Sequence, residues 1–285
     1  MKGVILAGGS GTRLYPLTKV TNKHLLPIYD KPLIYYPLSN LLLAGCNEIL
    51  IISNPDKLHN FENLFETGER FGIKIYYKEQ KNPEGIPSAI KLSEDFADGE
   101  DIWVSLGDNL IFGSRVTDLY ELANKSSNPT VFLKHVGNIE GFGSAEIIDG
   151  KVTNLIEKPK KTNPGWAITG LYKFPNSIYK EIPSLKASKR NETEIVDLLN
   201  LYLEREELSH QIFGRGVTWI DCGTNIDLNR AENFVFNYQT INNTLICSPE
   251  EIALNLSLVT KEEYLDSIRF YENSDYSENL KRVLS

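Results

Sequence analysis

The chain has 285 residues, 41% of them hydrophobic, and a formal net charge of −8 from 30 Lys and Arg against 38 Asp and Glu. That length supports one large α/β domain or two ordinary ones around a substantial core. An acidic balance without any basic block excludes nucleic acid or an anionic membrane as the main partner, and no apolar run is long enough to span a bilayer, so the cytoplasm is the expected location.

Lys2 to Ala7 reads as a buried strand that runs into Gly8-Gly9-Ser10-Gly11-Thr12-Arg13-Leu14. Glycines at these positions let backbone N–H groups approach an anion closely, and Arg13 adds a fixed positive fork suited to a diphosphate or triphosphate. A P-loop would need a Lys-Ser/Thr pair after its last glycine, and Thr12-Arg13 stands there instead. A dinucleotide fingerprint would need Gly or Ala at position 14, which is Leu. It would also need an acid ending a strand, whereas Asp30 lies in the turn-like Tyr29-Asp30-Lys31-Pro32.

Beyond the loop, strands and helices alternate. Leu33 to Ala44 is a predicted helix opened by Pro32 and closed by Gly45, and Glu48 to Ser53 the next strand. Further strands are expected at Ile73 to Lys78, Ile102 to Leu106 and Thr130 to Val136, with helices at Leu58 to Phe71, Pro87 to Phe96 and Val116 to Asn124. The pattern is that of a doubly wound sheet, whose ligands bind beyond the carboxyl ends of the strands, where the 8–13 loop and Gly107-Asp108-Asn109 would both lie. The second half predicts short strands at Ala145 to Ile148, Lys151 to Ile156 and Ala167 to Phe174. Asn191 is then the expected N-cap, with Glu194 at N3, of a helix bearing Ile195, Leu198, Leu199 and Tyr202. Ser248-Pro249-Glu250-Glu251 and Thr260-Lys261-Glu262-Glu263 each predict a capping box, opening helices near 249–256 and 261–269. Cys46, Cys222 and Cys247 form no disulfide or metal spacing and read as reduced thiols, and the four His form no ligand cluster.

Gly8-Gly9-x-Gly11-Thr12-Arg13-Leu14-x-Pro16-x-Thr18 followed by Lys23-x-Leu25-Leu26-Pro27-Ile28-Tyr29-Asp30-Lys31-Pro32 resembles the sugar-1-phosphate nucleotidyltransferases, specifically the short bacterial glucose-1-phosphate thymidylyltransferases. The resemblance continues through Leu106-Gly107-Asp108-Asn109, Glu157-Lys158-Pro159, Thr169-Gly170-Leu171-Tyr172, Trp219-x-Asp221-x-Gly223-Thr224 and Ser248-Pro249-Glu250-Glu251-Ile252-Ala253, so it spans nearly the whole chain. It implies an α/β fold: a doubly wound mixed sheet of Rossmann-like nucleotidyltransferase type, with sugar-binding insertions and a helical C-terminal tail. The expected organisation is a catalytic domain over 1–241, with a nucleotide half at about 1–136 and a sugar-phosphate half at about 137–241, and a tail over 242–285.

The implied reaction is attack of a hexose 1-phosphate oxygen on the α-phosphorus of dTTP or UTP, with pyrophosphate leaving. A phosphate monoester has its second pKa near roughly 6, so the nucleophile is already ionised and no Ser-His-Asp set is required. Alignment of two anions and neutralisation of the leaving diphosphate are required. By resemblance, Arg13 grips the β- and γ-phosphates, Lys23 neutralises the triphosphate near the α-phosphate, and Lys158 holds the sugar phosphate. Asp108 and Asp221 would hold Mg²⁺, a cation that takes one or two protein carboxylates and leaves its other positions to phosphate and water. Nucleotide contacts are expected from Leu6, Gly8, Gly9, Gly11, Thr12, Arg13, Gln80, Gly85 and Asp108. Contacts to the sugar phosphate are expected from Asn109, Gly143, Glu157, Lys158, Ile168, Thr169, Arg190 and Trp219.

Departures from the family pattern concentrate around the base and the sugar. Pro87-Ser88 stands where Ala-Gln is usual, His24 where Gln is, Cys222 where Thr is, and Ser144-Ala145 offers a smaller and more polar wall that would admit an amino or deoxy sugar. The tail residues Ile252, Leu254, Leu256, Leu258, Leu265 and Ile268 are expected to need a partner surface, in keeping with the homotetramer, a dimer of dimers, that the resemblance implies. Cys247, Glu250 and Ile252 match the start of a second, regulatory nucleotide site in relatives, although Asn255-Leu256-Ser257 lacks the basic residues found there.

Overall fold

The computed structural model describes residues 1–160 and 162–284. Its strands are β1 (Lys2–Leu6), β2 (Pro27–Ile28), β3 (Lys31–Pro32), β4 (Glu48–Ser53), β5 (Lys74–Glu79), β6 (Ile102–Leu106), β7 (Asn109–Gly113), β8 (Thr130–Val136), β9 (Ser144–Ile148), β10 (Lys151–Ile156), β11 (Gly165–Phe174), β12 (Ser209–Phe213) and β13 (Val217–Asp221). The helices are α1 (Tyr35–Leu43), α2 (Pro55–Phe65), α3 (Ile86–Lys91), α4 (Glu94–Ala97), α5 (Val116–Asn124), α6 (Ile178–Glu181), α7 (Ile195–Glu204), α8 (Asn225–Asn242), α9 (Pro249–Asn255), α10 (Lys261–Phe270) and α11 (Asp275–Lys281).

A mixed sheet organises the molecule in the order β10-β9-β11-β6-β1-β4-β5, with β8 paired to β11 and β12 to β8. The β6-β1-β4-β5 portion is parallel, and β11 joins β6, β8 and β9 antiparallel. Alternation along β1 sends Val4 and Leu6 into the core on one face and Ile5 and Ala7 into the core on the other, as a central strand covered on both sides requires. Leu6 pairs with Leu106, so the turns after β1 and β6 leave the sheet side by side.

Local chemistry explains the places where the elements differ from expectation. The second helix ends at Phe65 rather than Phe71, because Glu66 and Gly68 turn left-handed before a short 3-10 turn at Glu69–Phe71. The helix expected over Pro87 to Phe96 breaks between α3 and α4, where the buried Ser93 hydroxyl donates to the Ile90 carbonyl and pairs with the Tyr179 hydroxyl. Asn191 does not cap α7: it lies in a left-handed turn, and Glu194 is the N-cap, its carboxylate taken by Arg190 and Ser188. Only one tail capping box forms, at Thr260 and Glu263. The Ser248 hydroxyl turns inward to Glu250 and Tyr276 instead.

The tail folds back on its own chain. Tyr264, Ile268, Tyr276 and Leu280 are buried in the same core as α1 and the β1 face, and Ile252, Leu254, Leu258 and Leu265 pack against it. The partner surface expected for these side chains is therefore intramolecular, and Leu256, at 45% exposure, is the one of the six that stays open. At its centre Glu250 is completely buried, its two oxygens accepting from the Tyr271 and Tyr276 hydroxyls at 2.5 Å each. A second buried clamp lies at the hairpin of β2 and β3. The Asp30 carboxylate there accepts from Lys31 at 2.7 Å, from Gln239 of α8 at 2.9 Å and from Asn279 of α11 at 3.1 Å.

Candidate active site

The turn after β1 is held from below. Asn22 donates to the Ala7 carbonyl at 3.0 Å, and Ser53 donates to the same oxygen at 2.9 Å. Gly8 is needed for close approach, since a Cβ there would lie 2.5 Å from the Gln80 Oε1. The Gln80 amide thus closes directly on the glycine backbone.

Asn22 also sets the next element. Its Oδ1 accepts from the backbone of His24 and contacts the His24 Nδ1 at 2.6 Å. His24 is buried over Gly107, and burial followed by the neighbouring Lys23 charge lowers its pKa to about 3, so the ring is a neutral packing group. Lys23 beside it reaches Asp108 at 2.5 Å. Burial opposes ionisation of Asp108, but the Lys23 ammonium overrides it and holds the carboxyl below the usual carboxylate range.

Asp221 is brought to Asp108 by the ribbon of β7 and β13. It pairs with Asn109 in the register, and Cys222 N–H donates to the Asp108 carbonyl at 2.9 Å. Burial, and then the charge of Asp108, push the Asp221 carboxyl well above its ordinary value. Arg13 reaches the same corner, its guanidinium lying 3.2 Å from where a Gly223 Cβ would stand. Two mutually repelling, buried carboxylates with too little positive charge between them fit a hard divalent cation. Among the described residues there is no group of three or more His, Cys, Asp or Glu placed to hold a metal. A site here would therefore rest on two protein carboxylates, with oxygen ligands from phosphates and water completing it.

Two depressions meet at these acids. One is lined by Leu6, Gly8, Gly9, Lys23, Gln80 and Gly85, and the other by Arg13, Asn109, Gly143, Ile168, Trp219 and Asp221. Asp108, Glu157, Lys158, Ile86, Leu106 and Ile195 line both, so the cleft is continuous from the glycine turn to the Phe142 and Trp219 rings, which meet edge-on at 5.1 Å.

Several expected residues stand elsewhere or are engaged otherwise. Gly11 and Thr12 do not line either depression. Thr169 is wholly buried and lines neither depression, its hydroxyl given to the Phe132 carbonyl at 2.9 Å, so its side chain supports the sheet. Arg190 is spent on the acids of the wall, at 2.6 Å from Glu194 and 3.1 Å from Glu157. Asn109 lines the cleft, but its amide is committed inward: it accepts from the Trp219 indole at 2.5 Å and donates to Asp108 at 3.1 Å. Ser144 and Ala145 are buried in β9 and give the cleft no polar wall. In the tail, Cys247 and Glu250 are buried and Ile252 packs against the core, so the Glu250 carboxylate presents no free oxygen to a second nucleotide.

The structure adds Ile86, Phe142, Gly170, Tyr172, Glu192, Thr193, Glu194 and Ile195 to the lining. Adjacency to Gly143 could have pointed to Phe142, and the matched motif to Gly170 and Tyr172. Nothing local marks the 192–195 segment, which reaches the cleft through the turn at Asn191.

Comparison with known proteins finds a family and several relatives. The family described as nucleotidyl transferase matches residues 2–237. A Neisseria meningitidis protein named glucose-1-phosphate thymidylyltransferase is 42% identical over 286 residues, covering 100% of this chain and 99% of its own. One of the same name from Mycolicibacterium smegmatis is 36% identical over 285 residues with the same coverage. Among solved structures, a Bacillus anthracis protein in complex with sucrose superposes with a TM-score of 0.76 at 37% identity, over 82% of this chain and 94% of that one. UDP-glucose pyrophosphorylase complexed with UDP-glucose gives a TM-score of 0.73 at 25% identity, over 83% and 98%.

Proposed function

This chain belongs to the nucleotidyl transferase family, and within it we propose that the protein makes dTDP-glucose from dTTP and glucose 1-phosphate, releasing pyrophosphate. It is a sugar-1-phosphate nucleotidyltransferase, and the observation that carries the reading is the single cleft in which Arg13, Lys23, Asp108, Lys158 and Asp221 converge.

A sugar phosphate oxygen attacks the α-phosphorus, one P–O bond forms as the bond to pyrophosphate breaks, and no proton has to be removed from the nucleophile. The chain's contribution is to align and neutralise. Gln80 and the Gly8 backbone take the base, Arg13 and Lys23 the triphosphate, and Lys158 the sugar phosphate, while Glu157 orients hydroxyls of the hexose. Trp219 closes the far wall against Phe142. The family is generally dependent on a divalent metal. We assign Mg²⁺ to Asp108 and Asp221, where it would supply charge neutralisation for the phosphate oxygens. No helix among the described residues is long and apolar enough to cross a membrane, and the reading places the enzyme in the cytoplasm with two small anionic substrates. It also includes a homotetramer, for which the exposed Ile226, Phe236 and Ile241 of α8 supply apolar surface.

The test is a matrix of nucleoside triphosphates against hexose 1-phosphates, read as pyrophosphate release with Mg²⁺ present. The highest kcat/KM is expected for dTTP with glucose 1-phosphate. A higher value for UTP, or for an amino or deoxy hexose, would reassign the substrate. Release from no pair would overturn the enzymatic reading in favour of a non-catalytic sugar-nucleotide sensor.

A further inference from the structure

The loop that walls the base end of the cleft belongs to the first half of the chain but is fastened by the second. Gly85 lies beside Thr193 in an isolated parallel bridge, and the Thr193 backbone N–H donates to the Glu84 carbonyl at 2.8 Å. The Thr193 hydroxyl donates to that same carbonyl at 3.0 Å and lies 3.0 Å from the Ser88 hydroxyl. With its one proton given to Glu84, Thr193 accepts from Ser88, so the three groups form a directed chain from Ser88 through Thr193 to the loop backbone. The contact is tight: a Cβ on Gly85 would fall 2.0 Å from the Thr193 carbonyl oxygen.

Pro83, Gly85 and Ile86 line the cleft beside Gln80, whereas Ser88 does not. We propose that Thr193 is a positioning residue for the nucleoside triphosphate, fixing the 83–86 wall against which the base is held through its hydroxyl link to Glu84 and Ser88. The proposal rests on reading the cleft as a nucleotidyltransferase site. It gives a role to Ser88, a departure from the family pattern, as the outer member of a latch between the two halves.

Thr193→Val keeps the shape and β-branching and removes both hydroxyl hydrogen bonds. It is expected to raise the triphosphate KM about tenfold, the effect of one to two hydrogen bonds, while kcat and the hexose 1-phosphate KM stay within about twofold. Thr193→Ser, which restores the hydroxyl, should recover the wild-type value. Ser88→Ala, off the cleft, should raise the triphosphate KM about threefold, and adding it to Thr193→Val should cost little more, because the two share one link. Triphosphate affinity measured by calorimetry should follow the same order without needing turnover.

An unchanged triphosphate KM in Thr193→Val, or an equal rise for both substrates, would overturn the proposal. So would a silent Ser88→Ala beside a damaged Thr193→Val, which would mean that Thr193 touches the nucleotide directly. A wild-type protein that binds triphosphate but releases no pyrophosphate would overturn the parent reading alone, leaving the latch to stand or fall on calorimetry.

Discussion

Buried carboxylates occur in the cleft and in the tail, and their surroundings differ in kind. In the cleft, Asp108 and Asp221 confront each other with the Lys23 ammonium on one of them, and Asp221 is driven toward its neutral form by burial and by its neighbour. In the tail, Glu250 is deeper still, yet both oxygens are occupied by tyrosine hydroxyls and Ser248 adds a third donor. Buried polar groups with complete partners rigidify a core, whereas an incompletely compensated charge persists where a ligand completes it. The first arrangement marks chemistry and the second architecture, though sequence alone places a candidate functional glutamate at 250.

Substitutions should separate the two. Asp221→Asn keeps the shape and removes one of two repelling charges, so turnover should fall on the order of a thousandfold. Its unfolding midpoint should hold or rise. Near-normal turnover under saturating Mg²⁺ would remove Asp221 from the metal assignment and collapse the contrast. Glu250→Ala should do the reverse: losing the shared acceptor of three hydroxyl hydrogen bonds and leaving a cavity costs about 3 kcal/mol of unfolding free energy, and kcat of the folded fraction should not change. Urea denaturation measures the first quantity, and an unchanged midpoint there would mean that the tail cluster is not structural.

Two smaller effects sharpen the comparison within the cleft. Gly85 holds φ +103°, and a side chain there meets the Thr193 carbonyl, so Gly85→Ala should displace the base wall and raise the triphosphate KM by about tenfold or more. Steady-state kinetics with each substrate varied in turn would show whether the loss is confined to the triphosphate, as expected. Trp219→Phe keeps an aromatic ring against Phe142 but removes the donor to Asn109. About a fivefold loss in kcat/KM for the hexose 1-phosphate follows from one hydrogen bond. A variant indistinguishable from wild type would show that the Trp219–Asn109–Asp108 chain carries no coupling.

How much was legible in the sequence depended on the distance over which each signal acts. The strand at β1 and the turn after it could be read because an apolar run and three glycines are local facts. The 18-residue α8 could not, since its buried positions are Ala231, Val235 and Gln239 while Ile226, Phe236 and Ile241 lie exposed, so its apolar residues are spread around the helix and form no clear stripe. β7 and β13 carry strand-forming residues, Leu110-Ile111-Phe112 and Val217-Thr218-Trp219-Ile220, but their pairing, Asn109 against Asp221, is a contact across the chain that no local pattern records. In the site, Arg13, Lys23, Asp108, Lys158 and Asp221 were identifiable by motif. Thr193 was not, because what it does is decided by Glu84, 109 residues away. Thr169 shows the converse: it sits in a matched motif, yet the antiparallel pairing of β11 with β8 turns its hydroxyl into the sheet.

The clamp at Asp30 has a consequence for how the molecule is made. The hairpin that follows Lys23 is fixed partly by Asn279, which lies 249 residues later in the chain. At ribosomal rates of about 5–20 residues per second, roughly 12–50 s separate synthesis of the two. Throughout that interval the hairpin lacks its last ligand, and the tail residues Tyr276 and Leu280 that complete the core beside α1 are still to come. Premature termination between Thr224 and α11 would therefore yield a chain that carries every motif of the cleft yet lacks this clamp, leaving an apolar face open to chaperones and proteases.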